Sequence, residues 1–106
     1  MNKKAVLAIT GLMTFSLHAS ADDLATQGKN VFTQEAQPSC TICHTLADAG
    51  SAGAIGPNLD DLKPTEDRVR MAVTQGVGVM PSFEASLSEE QIKAVAHYVS
   101  TVTGGK

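Results

Sequence analysis

The feature that most limits what this chain can become is Cys40-Thr41-Ile42-Cys43-His44. A C-x-x-C-H run is the signature of covalent attachment of c-type haem. Two cysteines three positions apart share one face of a helical turn, about 5–6 Å apart. Both sulfurs can then add to the two vinyl groups along one haem edge. His44 follows at once and can bring its imidazole under the iron as an axial ligand. Five residues thus fix the ring, its orientation and one ligand.

Other uses of two cysteines fit less well. A thioredoxin-type redox pair belongs in a βαβ setting, and no β-branched strand run surrounds this one. A structural zinc site needs four ligands, and these are the chain's only cysteines. A disulfide closing so short a loop would restrict the unfolded chain little.

Residues 1–21 read as a secretory leader. Lys3 and Lys4 give a positive start, Ala5 to Leu17 is a short apolar stretch, and Ala19-Ser20-Ala21 is an A-x-A cleavage site. Thr10, Gly11, Thr14 and Ser16 interrupt the apolar run, which is too short for a bilayer span. Export also suits haem attachment, which takes place outside the cytoplasm, so a periplasmic location is expected. Cleavage after Ala21 leaves one domain, residues 22–106, with six basic residues against eleven acids, a formal charge of −5. Such a balance opposes nucleic-acid binding and steers the protein toward a basic docking patch on a partner. The domain keeps only Phe32, Phe83 and Tyr98 as aromatics. A chain this short buries only about 60–65% of its unfolded surface. One haem would supply the missing apolar body.

The helical pattern is clear at both ends. Leu24, Gly28, Val31 and Phe32 share one face of a helix over residues 23–34, and the mid-helix Gly28 implies close approach of a second helix. Pro38 is placed to start the turn carrying Cys40. Residues 45–58 hold Gly50, Gly53, Gly56 and Pro57 and predict a loop around the proximal side of the ring, with 48–53 as plain surface. Thr65 caps a helix reaching Gln75, with Gly76 just past its end. Ser88 opens the last helix in a capping box with Gln91, and Ile92, Val95, Ala96, Val99 and Val102 form its apolar stripe up to Thr103.

A sixth iron ligand must come from His97, Met71 or Met80. Met80 is preferred, because Gly76-Val77-Gly78-Val79-Met80-Pro81 is a glycine-rich extended segment that can lie against a haem edge and present one side chain. Met71 and His97 sit inside helices, where packing is the commoner role. Met/His ligation raises the reduction potential and fills both axial positions, which argues for passing single electrons. The proximal loop should supply a carbonyl for the His44 Nδ1 proton, with Pro57 the candidate. Asn58, Lys63, Arg68 and Arg70 are the available propionate partners, and surface solvation explains them better.

Together these residues resemble a class I c-type cytochrome across the whole region 22–106. The resemblance rests on Cys40-x-x-Cys43-His44, Gly56-Pro57-Asn58-Leu59, Gly78-Val79-Met80-Pro81, and terminal helices carrying Gly28, Phe32 and Tyr98. It implies an all-α fold of three to five short helices wrapped around one covalently bound haem c, the terminal helices crossing near Gly28 and Tyr98. By the same resemblance Cys40 and Cys43 hold the haem, His44 and Met80 ligate the iron, and the Pro57 carbonyl orients His44. The loops around Gly50, Gly56 and Gly76 are similar to small monohaem subunits accompanying periplasmic dehydrogenases, notably sulfite dehydrogenases. They also resemble soluble cytochromes of the c6, c553 and c5 type. The lysine-rich face of mitochondrial cytochromes is missing.

The implied role is a one-electron carrier, or an electron-accepting haem subunit, exchanging with redox partner proteins. It is not itself an enzyme, needs no membrane insertion after leader removal, and could pair with a dehydrogenase subunit as a heterodimer. The competing reading is a haem enzyme or gas sensor with a displaceable sixth ligand. That needs a distal acid, base or donor, and Glu84 is the nearest ionisable group to Met80 in sequence.

Overall fold

The computed structural model describes residues 8–14 and 20–106, so most of the expected leader lies outside the described residues. Five α-helices run in chain order among the described residues: α1 (Ala21–Asn30), α2 (Cys40–Cys43), α3 (Leu59–Leu62), α4 (Glu66–Gln75) and α5 (Glu89–Thr103). The fold is all-α in its framework, as expected. None of these helices is long and apolar enough to cross a membrane.

The frame is set by α5, which packs against both α1 and α4. Its apolar stripe buries Ile92, Val95, Ala96 and Val99, each at most 5% exposed. The start of α5 is the capping box read from the sequence: the Ser88 hydroxyl accepts from Gln91 N at 3.1 Å and Gln91 Oε1 accepts from Ser88 N at 2.8 Å. Ser88→Ala removes half of that exchange and should cost about 1 kcal/mol. Thermal unfolding should show it as a fall of roughly 4–8 °C. Gly104, at φ 78°, ends the helix in the left-handed region.

The terminal helices cross where Gly28 allows it. A β-carbon built on Gly28 would collide with the Ala94 carbonyl and the Tyr98 β-carbon. Beside this crossing Phe32 and Tyr98 meet edge to face, their ring centroids 6.1 Å apart. The first helix departs from the sequence reading at both ends. Ser20 caps it, its hydroxyl accepting from Asp23 N at 3.3 Å. After Asn30 the coil widens into a π turn, Val31–Glu35, that buries both Val31 and Phe32.

Three further corrections concern the middle of the chain. Ser39 rather than Pro38 starts α2: its hydroxyl accepts from Thr41 N at 3.4 Å and donates to the Phe32 carbonyl at 3.2 Å. Residues 45–52 are a small hairpin, β1 (Thr45–Leu46) antiparallel to β2 (Ser51–Ala52), joined by a 3₁₀ turn over Ala47–Ala49. Helix α3, capped by the Asn58 side chain on Asp60 N at 3.0 Å, follows the loop in a stretch to which the sequence assigned no element. Both ends of α4 are as expected, with Thr65 capping Arg68 N at 3.2 Å and Gly76 at φ 76°.

Candidate functional site

The helices leave an apolar cavity of about 700 Å³ between α4, α5, the π turn and the loops at residues 55–57 and 77–81. Val69, Val73, Phe32, Phe83, Val95 and Val99 make up much of its wall. Its volume is that of a cofactor pocket. The expected site residues come together here, for Cys40, Cys43, His44, Pro57 and Met80 all line it.

Helix α2 is a single turn, so Cys40 and Cys43 fall on the same side of it. The two do not form a disulfide with each other. Burial pushes the Cys40 thiol up to about 11, with the neighbouring Cys43 adding to the rise against a hydrogen bond from its own backbone. A thiol held protonated at neutral pH is the reverse of the activated thiolate of a redox C-x-x-C pair. A shared metal site also lacks support, since no three His, Cys, Asp or Glu groups come together to hold a metal ion among the described residues.

The chain leaves the helical region at His44, which is half-buried with extended backbone angles. His44 Nδ1 donates to the Pro57 carbonyl at 2.8 Å. That bond fixes the tautomer and ring plane and leaves Nε2 to act as a ligand. Packing reinforces it. Gly56 N donates to the Cys43 carbonyl at 2.7 Å, and a β-carbon on Gly56 would lie 2.8 Å from His44 Cε1. A β-carbon on Gly53 would lie 2.5 Å from the Ile42 carbonyl and 2.7 Å from His44 N. Ser51, buried in β2, donates to the His44 carbonyl at 2.9 Å. Residues 48–53 are therefore a brace for the histidine turn and not plain surface. The recurrence of glycine at 50, 53 and 56 was the available signal.

Met80 sits in a tight turn rather than an extended segment. Val77 N donates to the Met80 carbonyl at 3.1 Å and Met80 N to the Val77 carbonyl at 2.9 Å, with Gly78 at φ 57° between them. A β-carbon on Gly76 would meet the Met80 carbonyl at 2.8 Å, so the approach to this turn requires glycine. Met80 packs partly buried against the core. Met71 also lines the cavity but is 58% exposed. His97 lies away from the cavity wall, its Nδ1 3.6 Å from Glu66 across the α4–α5 contact. Of the four propionate partners only Arg68 lines the cavity; Asn58 caps α3 and Arg70 pairs with Asp67 at 2.7 Å. Glu84 is exposed and faces a separate groove.

These residues fit haem c. An apolar cavity takes the macrocycle, two neighbouring cysteines stand at its edge, and an oriented imidazole and a thioether supply the donors of a His/Met iron site.

Comparison with known proteins agrees with this geometry. Residues 23–99 match the family described as cytochrome c oxidase, cbb3-type, subunit III. The cbb3-type cytochrome c oxidase subunit CcoP of Cereibacter sphaeroides is 32% identical over 92% of this chain, which spans 36% of that protein's length. The chain thus covers about a third of the cbb3-type subunits it matches. Cytochrome c6 of Picosynechococcus is 32% identical over 94% of this chain and 93% of its own length. The crystal structure of the c-type cytochrome SorU from Sinorhizobium meliloti superposes with a TM-score of 0.75 at 52% identity, covering 78% of this chain and 94% of that one. The chain is a monohaem class I member of the c-type cytochromes, within the family described as cbb3-type cytochrome c oxidase subunit III, with covalently bound haem c.

Proposed function

We propose that residues 22–106 form a periplasmic one-electron carrier, exported by a leader ending at Ala21, that accepts electrons from a dehydrogenase and delivers them to a terminal acceptor. The observation that carries this reading is the convergence of Cys40, Cys43, an imidazole fixed by Pro57, and Met80 on one apolar cavity. Cys40 and Cys43 would hold the haem through thioethers, with His44 and Met80 as the axial ligands. Haem c supplies one iron that alternates between ferric and ferrous states. The chain's own residues keep the ring dry through Phe32, Phe83, Val95 and Val99, and the Pro57 carbonyl keeps the His44 Nδ1 proton in place. Two protein ligands leave no coordination position for a substrate, which supports the carrier over the enzyme or sensor reading.

The mouth of the cavity supports exchange by contact. Ile55, Leu62, Met71, Val77 and Val79 line it while exposed, Val79 at 88%. The partner's contact patch would therefore be apolar at its centre. A basic rim would be drawn by the protein's net negative charge. The 52% identity to SorU and the resemblance to cytochrome subunits of sulfite dehydrogenases make a periplasmic dehydrogenase, met transiently or as a heterodimer, the favoured donor.

The test is the visible spectrum of the exported protein, oxidised and reduced. A c-type reduced spectrum with the weak red band of methionine–iron(III) charge transfer, unaltered by carbon monoxide, is the expected result. A high-spin spectrum that shifts on adding carbon monoxide or cyanide would overturn the carrier reading. Intact mass of the same sample tests cleavage before Asp22.

A further inference from the structure

The brace behind His44 is anchored by residues that are not part of the cavity wall. Tyr98 of α5 is 2% exposed, and its hydroxyl donates to Asp48 at 2.5 Å. Asp48 lies in the 3₁₀ turn that joins β1 to β2. The carboxylate oxygen that accepts from Tyr98 is also 3.4 Å from Lys29 Nζ of α1. On the other side of the turn Asp60 of α3 accepts from Ala47 N at 2.8 Å. The tip of the hairpin is thus gripped by α1, α3 and α5 together. From that tip the chain returns along β2 and makes the contacts described above on the back of the histidine turn. Ser51 reaches the His44 carbonyl, Gly53 lies under the Cys43–His44 peptide, Gly56 abuts the imidazole, and Pro57 accepts its proton.

Stability alone accounts poorly for the tyrosine hydroxyl. A phenylalanine at 98 would fill the same space against Phe32, and the Asp48 side chain, 44% exposed, would be solvated without it. What the hydroxyl adds is a fixed position for the turn. The bond holds the Asp48 carboxyl below its usual range and, with burial as the larger cause, raises the Tyr98 phenol, so both partners stay in the bonding protonation state across neutral pH.

We infer that the Tyr98–Asp48 hydrogen bond positions the axial imidazole, transmitting the crossing of the terminal helices through the hairpin to the plane of His44. Both residues are positioning residues, and the inference rests on His44 being the proximal ligand.

The test compares the haem-loaded protein with Tyr98→Phe, Asp48→Ala, the double variant, and Leu87→Ala. Leu87 is a buried core residue outside the hairpin. Three quantities are read: the reduction potential, the proton NMR shifts of the ferric haem methyls, which follow the plane of the axial imidazole, and the denaturant midpoint. Tyr98→Phe and Asp48→Ala should displace the methyl pattern and the potential in the same sense. The double variant should go no further than the larger single change, since both cut one bond. Leu87→Ala should lower the midpoint and leave the methyl pattern and the potential at wild-type values. The inference is overturned if either single variant keeps the wild-type methyl pattern, or if Leu87→Ala displaces it equally. Failure of the underlying reading is separate and visible in the wild type, as the lack of a low-spin His/Met spectrum.

Discussion

Met80→Ala will leave haem c attached, abolish the red methionine–iron(III) band, and lower the reduction potential by on the order of 0.1 V or more. Axial ligands move haem potentials across a range of roughly 0.8 V, and a thioether favours the ferrous state. The control is decisive because both Met71 and Met80 line the cavity. Met71 stands 58% exposed on α4, whereas Met80 is held in a turn closed by two backbone hydrogen bonds and packs against the core. Met71→Ala should therefore keep both the band and the potential. If instead the band disappears with Met71 and survives loss of Met80, the proposed ligand set is wrong. Redox titration and the ferric spectrum of the two variants give the answer together.

Gly28→Ala should be strongly damaging although it adds only one methyl group. Helix propensity alone would make it favourable by about 1 kcal/mol. Here, however, the new β-carbon would fall on the Ala94 carbonyl and the Tyr98 β-carbon, which are fixed parts of the facing helix. The helices must separate, and overpacking of this kind costs about 1–3 kcal/mol or more. Because the obstacle is backbone, a net loss of about 3 kcal/mol is expected, against a total stability of about 4–13 kcal/mol for a domain of this length. In thermal unfolding of the haem-loaded protein that is a fall of roughly 12–24 °C. An unchanged or raised midpoint would show that α1 and α5 do not cross here as described.

Much of this could be read from the residues because each signal was local and strong. The capping box at Ser88, the glycine closing α4 and the stripe on α5 depend only on near neighbours, and each stands where expected. One mid-helix glycine signalled the close approach of a second helix, and the family resemblance supplied the last helix as its partner. Cys40, Cys43, His44, Pro57 and Met80, which line one cavity, were singled out because a C-x-x-C-H turn, a loop proline and a loop methionine each have few other uses. What the sequence concealed depends on partners distant in the chain. Asp48 looks like any loop acid until Tyr98, fifty residues away, is placed over it. Ser51 looks like a turn serine until the fold closes over it and leaves the His44 carbonyl as its acceptor. Helix α3 has only four residues and no period to detect, and its hold comes from Asn58 and from Asp60 bonding back to Ala47. The Met80 turn was misread as extended because glycine-rich runs encode a shape only through positive φ, seen at Gly76 and Gly78 once the structure is in hand.

The cavity takes up a large part of a small domain, with the buried Phe32 and Phe83 on its wall. A reversibly bound ligand stabilises its host in proportion to the logarithm of its free concentration, and that support drains away on dilution. With haem c joined to the one-turn helix at Cys40–Cys43, as proposed above, the second reactant of that equilibrium is part of the chain. Its contribution to the core then does not change with how much free haem the surroundings contain. The proposed carrier, leaving one partner and drifting to another at low concentration, can do so without being at risk of arriving empty.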